Sequence, residues 1–156
     1  MPAVPSSAFL DRLYAETLGL LVQARNYMAY KQPRERGGDS AARLEVCCES
    51  LRVTARLTQV LSWVMILKAA ERGEVPQETA LEDRWRVDDR AICLNDEARR
   101  EGSIPPGLRD LLRSSLSLYL RVARLDCRMR GLQPDLPDMS DAEGEAAAVA
   151  GFHKIS

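Results

Sequence analysis

At 156 residues, the chain is long enough for one domain with one core, and its 22 Lys and Arg against 23 Asp and Glu leave a net charge of −1. That balance offers no chain-wide attraction for nucleic acid or an anionic membrane. No uninterrupted apolar run reaches membrane-spanning length and no charged segment precedes an apolar run at the start, so neither span nor leader is expected and the cytoplasm is the default compartment. The charge is unevenly placed: from Leu132 to Ser156 there are five acids and one base, so the preceding chain is net basic. Cys47, Cys48, Cys93 and Cys127 show no CxxC spacing and read as reduced, partly buried thiols.

Residues 1–8 form a short N-terminal tail in which Ser6 or Ser7 can cap a first helix. From Phe9 to about Lys31, apolar residues recur at Leu10, Leu13, Tyr14, Leu18, Leu21, Ala24 and Met28, the spacing of one helix face. Pro33 ends that helix, and the polar link through Gly37 and Gly38 is short enough to favour an antiparallel neighbour. Asp39 or Ser40 supplies the next cap.

The longest periodic stretch, Leu44 to Arg72, carries two adjacent apolar rows. One is Leu44, Cys47, Leu51, Thr54, Thr58, Leu61 and Met65; the other is Val46, Ser50, Val53, Leu57, Val60, Val64 and Leu67. Two rows make a broad core face, with Arg52, Arg56 and Gln59 on the polar side. Beyond Val60 that polar side turns apolar at Trp63 and Ile66. This half of the helix is therefore expected to be covered all round, either by another chain or by the connection that follows. Trp63, Ile66 and Leu67 are the candidates for a dimer interface. Ser50, Thr54, Thr58 and Ser62 step by four along the apolar face and read as close helix packing or, alternatively, a polar groove. Gly73 is placed to end the helix.

Glu74 to Gly107 is the least periodic part, with one short helix expected from Pro76 through Leu81 and Trp85. A connection of this length is often functional, but it also suits a cover for one end of a bundle. Pro105 and Pro106 introduce the last long helix, Leu108 to about Arg130, ended by Gly131. Its apolar row runs from Leu108 through Leu111, Leu112, Ser115, Leu118, Tyr119, Val122, Leu125 and Met129. Opposite lie Arg109, Arg113, Arg121, Arg124 and Arg128, within about a third of the circumference at 100° per residue. This stripe is either a solvated face or a docking face for an acidic partner or an acidic tail. Asp126 falls on the apolar side and needs a cationic or hydrogen-bonded partner, with Arg25 of the first helix as the candidate. A role in fixing helix register and a role in catalysis are both open for it. No second member of a catalytic set lies near.

The remaining residues, 132–156, hold two prolines and few large apolar groups, and are expected to be a mobile tail closed by a short apolar element, Val149 to Ile155. The lone histidine, His153, falls there, which disfavours histidine acid-base chemistry. No phosphate loop, nucleophile elbow or metal-ligand cluster is present, so no catalytic residue, metal or cofactor is expected. The fold reads as all-α: a three-helix bundle over residues 9–131, with an extra short helix in the connection between the second and third long helices and a disordered C-terminal tail.

Two strings, ESLRVTARLTQVLSWVMILKAAERGE at Glu49 to Glu74 and SLSLYLRVARLDCRM at Ser115 to Met129, resemble the regulator-of-CtrA-degradation (RcdA) family of alphaproteobacterial cell-cycle proteins. FLDRLYAETLGLLVQARNY from Phe9 agrees more loosely. The resemblance implies a three-helix bundle that forms a homodimer, has a mobile C-terminal tail and works as a non-enzymatic proteolytic adaptor. In that family the partners are the ClpX unfoldase primed by a response regulator, and substrate proteins or a second adaptor. The protease served is ClpXP, and recruitment to the cell pole is implied. Two other readings stand beside it: a helical scaffold that localises a partner without degradation, and a small DNA-binding regulator whose arginine stripe meets phosphates.

Overall fold

The computed structural model describes residues 4–34, 38–88, 90–94 and 104–137. Among them, helix is the only regular secondary structure. Three long helices, α1 (Ser7–Asn26), α2 (Ser40–Glu71) and α5 (Pro106–Met129), form the bundle. Between α2 and α5 the described residues make two four-residue helices, α3 (Gln77–Ala80) and α4 (Arg90–Cys93), with a 3₁₀ turn at Asp83–Trp85 between them. The one short helix expected from Pro76 through Trp85 is thus two brief turns.

Local chemistry sets the helix ends. The Asp39 side chain accepts a hydrogen bond from the Ala42 amide at 2.9 Å and so caps α2. At α1 the Ser6 hydroxyl makes no capping bond; its carbonyl instead accepts from Phe9 and Leu10, each at 3.0 Å. Both α2 and α5 close with the same pair of reversed bonds. The Glu74 amide donates to Ala69 and that of Gly73 to Ala70, and the Leu132 amide donates to Cys127 and that of Gly131 to Arg128. These endings need a residue at positive φ, which Gly73 (73°) and Gly131 (68°) adopt without a Cβ clash.

The helix of the first segment does not run uniformly to Lys31. Its last turn, Tyr27–Lys31, is a π turn in which the Gln32 amide reaches back to Tyr27 at 2.8 Å. The turn tucks Tyr27 into the core beneath the start of α5. There Gly107 permits the approach: a Cβ on it would lie 3.1 Å from the Tyr27 ring.

The central helix is α2, packed along both α1 and α5. Leu10, Val53, Leu57, Val60, Val64, Leu108, Leu118 and Val122 are buried at the shared seam, each worth about 1.5–3 kcal/mol relative to exposure. The second apolar row of α2 is the one that faces inward. The first is not: Leu44 (65% exposed), Leu51 (68%) and Met65 (55%) look outward, as do Thr54, Thr58 and Ser62. Of the four hydroxyl residues expected to ease helix packing, only Ser50 is buried, donating to the Val46 carbonyl one turn back. In place of the first row, the side of α2 that reads as polar turns inward, with Glu49, Arg56 and Trp63 buried along it.

The reason is the connection. Its irregular backbone lies over that side of α2, and buried polar side chains of the bundle satisfy it. Arg56 donates through Nε to the Cys93 carbonyl (2.8 Å) and through Nη1 to the Leu112 carbonyl (3.0 Å). Asp126 accepts from the Val87 amide at 3.2 Å, the Tyr119 hydroxyl donates to the Asp88 carbonyl at 2.8 Å, and Arg130 donates to the Leu81 carbonyl. Ala80, Val87 and Cys93 bury their side chains beneath.

Asp126 is the hub, and its partners correct the pairing expected with Arg25. Its Oδ1 accepts from the Trp63 indole N–H and from Arg130 Nε, both at 2.8 Å. Arg25 instead lies exposed on α1 and bonds only its neighbour Asn26 among the described residues. Arg130 sits one turn along the same helix, and that intrahelical spacing is what places it within reach. Trp63 is only 2% exposed, with its ring N–H aimed at Asp126, so it belongs to the core of a single chain.

The expected mobile tail does not begin at Leu132. Residues 132–137 are extended and held: the Asp135 carbonyl accepts from Arg90 at 2.8 Å, the Pro137 carbonyl from Arg124 at 2.6 Å, and Leu136 packs half-buried against the core. The rest of the expected mobile tail, 138–156, with His153 and the Val149 to Ile155 element, lies outside the described residues.

Replacing Asp126 by Ala leaves the Trp63 N–H, the Val87 N–H and the Arg130 guanidinium without their shared acceptor. Urea unfolding of Asp126→Ala should show a loss of about 3–5 kcal/mol, and Asp126→Asn a smaller one because it keeps one acceptor oxygen. A loss under about 1 kcal/mol in the Ala variant would show that the hub does not hold the connection.

Candidate functional site

Two faces of the bundle and one groove are candidates. The first face is the outward side of α2. Leu44, Cys48, Leu51, Ala55, Thr58, Ser62 and Met65 alternate spacings of four and three, the 3.5-residue period of a helix-pairing seam. All are exposed except Ala55, which is half-buried. The seam runs about 32 Å along the helix at 1.5 Å per residue. Its middle is built from small side chains, which allow another backbone to come close. Sequence reasoning placed most of this row in the core because apolar spacing alone does not say which of two adjacent rows meets the bundle.

The residues expected to form a dimer surface behave otherwise. Trp63 and Leu67 are buried within the chain, and Ile66 is half-buried against its core. The apolar surplus at this end of α2 is consumed by the connection, so no side chain of Trp63 or Leu67 is offered outward.

The second face is the basic stripe of α5. Arg109, Arg113, Arg121 and Arg128 are exposed and Arg124 is half-buried. Part of the stripe is already engaged: Arg121 pairs with Glu16 of α1, Arg109 donates to the Ile104 carbonyl at 3.3 Å, and Arg124 holds Pro137. Arg113 and Arg128 make no ion pair among the described residues. The pairs are exposed and individually weak, of order 0–1 kcal/mol, so they leave the stripe positive and exchangeable.

Between the π turn and the first turns of α5 lies an open groove of about 410 Å³ lined by Gln23, Asn26, Tyr27, Lys31, Gly107, Asp110, Leu111 and Ser114. Its lining is mixed, with one cation and one carboxylate. Among the described residues no group of three or more His, Cys, Asp or Glu is placed to hold a metal ion, and no helix is long and apolar enough to cross a membrane. Cys47 and Cys48 are exposed on α2, whereas Cys93 and Cys127 are buried.

The buried polar groups that sequence reasoning missed are Thr17, which donates to the Leu13 carbonyl one turn back, and Arg56, Glu49 and Arg130. A signal existed for the last, four residues after Asp126 on one helix. For Glu49, the only sequence cue is Arg52 one turn on, which pairs with it at 3.3 Å.

Compared with known proteins, residues 2–149 match the family described as "Protein of unknown function (DUF1465)". No curated protein matches the sequence. Among solved structures, the crystal structure of RcdA from Caulobacter crescentus superposes with a TM-score of 0.67 at 30% sequence identity, covering 85% of this chain and 100% of that one. With matches of that extent in both sequence and backbone, the chain belongs to the DUF1465 family, the family of RcdA.

Proposed function

We propose that the chain is a non-enzymatic adaptor that helps deliver cell-cycle regulators to the ClpXP protease by protein–protein tethering. The observation that carries this reading is its likeness to RcdA over the whole length of that structure. What the molecule offers agrees with the role. An adaptor needs separate docking faces on a rigid frame, and the apolar seam of α2 and the arginine stripe of α5 are chemically unlike faces on two different long helices.

The seam of α2 serves a second copy of the chain. A period of 3.5 residues with Leu44, Leu51 and Met65 outward suits a like helix, and a homodimer buries a face that is a liability on a monomer. The stripe takes an acidic segment of a substrate, of a second adaptor or of the primed unfoldase complex, with Arg113 and Arg128 as its most available cations. Recruitment to the cell pole would then come through such partners.

The delivery role is tested by capture on immobilised chain of the unfoldase together with its priming response regulator. Retention that depends on the regulator is expected; no capture with or without it removes the adaptor reading. Partner half-life in a deletion strain then separates delivery from scaffolding, because a scaffold leaves turnover unchanged.

The seam is tested in solution. The wild-type chain should sediment as a dimer, and Leu51→Glu as a monomer with unaltered helical content. Cys48 lies on the seam, so it should react with a thiol reagent about tenfold faster in Leu51→Glu than in the wild type, while Cys93 and Cys127 stay unreactive until unfolding. A wild-type monomer would remove the dimer reading, and a Leu51→Glu dimer would place the interface elsewhere.

A further inference from the structure

We propose that the acidic stretch following Pro137 is the resident occupant of the α5 arginine stripe, held there until a stronger acidic segment displaces it. The inference deepens the docking role given to the stripe and rests on it.

The path of the chain carries the argument. After Gly131 turns it at φ 68°, residues 132–137 do not leave the bundle but double back along α5. Three contacts pin the return: Arg90 to the Asp135 carbonyl, half-buried Leu136 against the core, and Arg124 to the Pro137 carbonyl. Described chain therefore ends at Pro137 beside Arg124, with Arg121 and Arg113 of the stripe lying further toward the start of α5.

The residues that come next are Asp138, Asp141, Glu143 and Glu145, with no base before Lys154. Reach is sufficient. Arg113 lies about 16 Å from Arg124 along the helix at 1.5 Å per residue, and eight extended residues from 138 to 145 span about 26 Å. Charge is complementary: five arginines share this face with Asp110 and with Glu16 reaching from α1, so a net positive surface remains. The tether makes the contact intramolecular, with an effective concentration in the millimolar range for a short linker. Each exposed ion pair is weak, so the stretch holds by number and by tether, and it yields to a partner that offers more contacts.

The full-length chain tests this with two measurements. First, Arg113→Lys places an amine on the stripe for zero-length carbodiimide coupling. Amide bonds from Lys at this position to Glu143 or Glu145, lost in about 1 M salt where screening acts within a few ångströms, are expected on peptide mapping. Coupling only to Asp110 or Glu16 overturns the proposal. Second, a fluorescent decaglutamate peptide is titrated against the wild type and against D138N/D141N/E143Q/E145Q. The neutralised variant should bind about tenfold tighter at low salt, because the internal competitor is gone, and R113E/R128E in that background should abolish binding. Equal affinities for wild type and neutralised variant overturn the resident-occupant proposal alone. No binding by either overturns it together with the docking role of the stripe.

Discussion

The structure depends on one accounting constraint: the backbone of an irregular connection, once laid over a bundle, must find hydrogen-bond partners away from water. The described part of the connection, 74–88 and 90–94, makes too few helical turns to satisfy itself. The bundle answers with Arg56, Tyr119, Asp126 and Arg130, which bond Cys93, Asp88, Val87 and Leu81 of the connection. A net hydrogen bond of this kind contributes only about 1 kcal/mol. Leaving any of these buried groups unpaired costs more, so the four act as a specification of where the connection must lie. Trp63 completes the arrangement by giving Asp126 a third donor from a second helix.

From that constraint follows the orientation of α2. Covering the Arg56 and Trp63 side by the connection turns the helix so that Val53, Leu57, Val60 and Val64 meet α1 and α5. The row from Leu44 through Leu51 to Met65 is then left facing outward. The outward apolar seam is thus a consequence of the inward arginine: a helix with three apolar or buried sides and only two bundle neighbours shows one of them. An exposed apolar face arises here from how the core is satisfied.

Much of the fold was legible in the sequence because helix ends are written locally. Asp39, Gly73, Pro33, the Pro105 and Pro106 pair and Gly131 each act within a few residues, and each stands at the end it was read to mark. The inward face of α5 was legible too, since its arginines leave one side unambiguous. Facing on α2 was not, because a buried Arg56 reads as solvent-facing and two adjacent apolar rows compete equally. Asp126 was rightly seen as turned inward, but its partner was sought across the bundle in Arg25, when Arg130 one turn away was closer. For the apolar end of α2 at Trp63 and Leu67 the sequence leaves two covers open, another chain or the connection, and burial within the single chain favours the second. The outward position of the α5 arginines was legible in the sequence, and that of the α2 seam was not.

The polar bonds between connection and bundle also bear on how the chain comes apart. Arg56 and Asp126 are tolerable in the interior only while the connection lies over them, and the connection keeps its shape only while they are there. Peeling the connection away therefore exposes buried charge and weakens the α2–α5 seam at once, so the opening of the two should be coupled. Placing polar groups inside thus makes the connection part of what holds the bundle together, and not a cover laid over a finished frame.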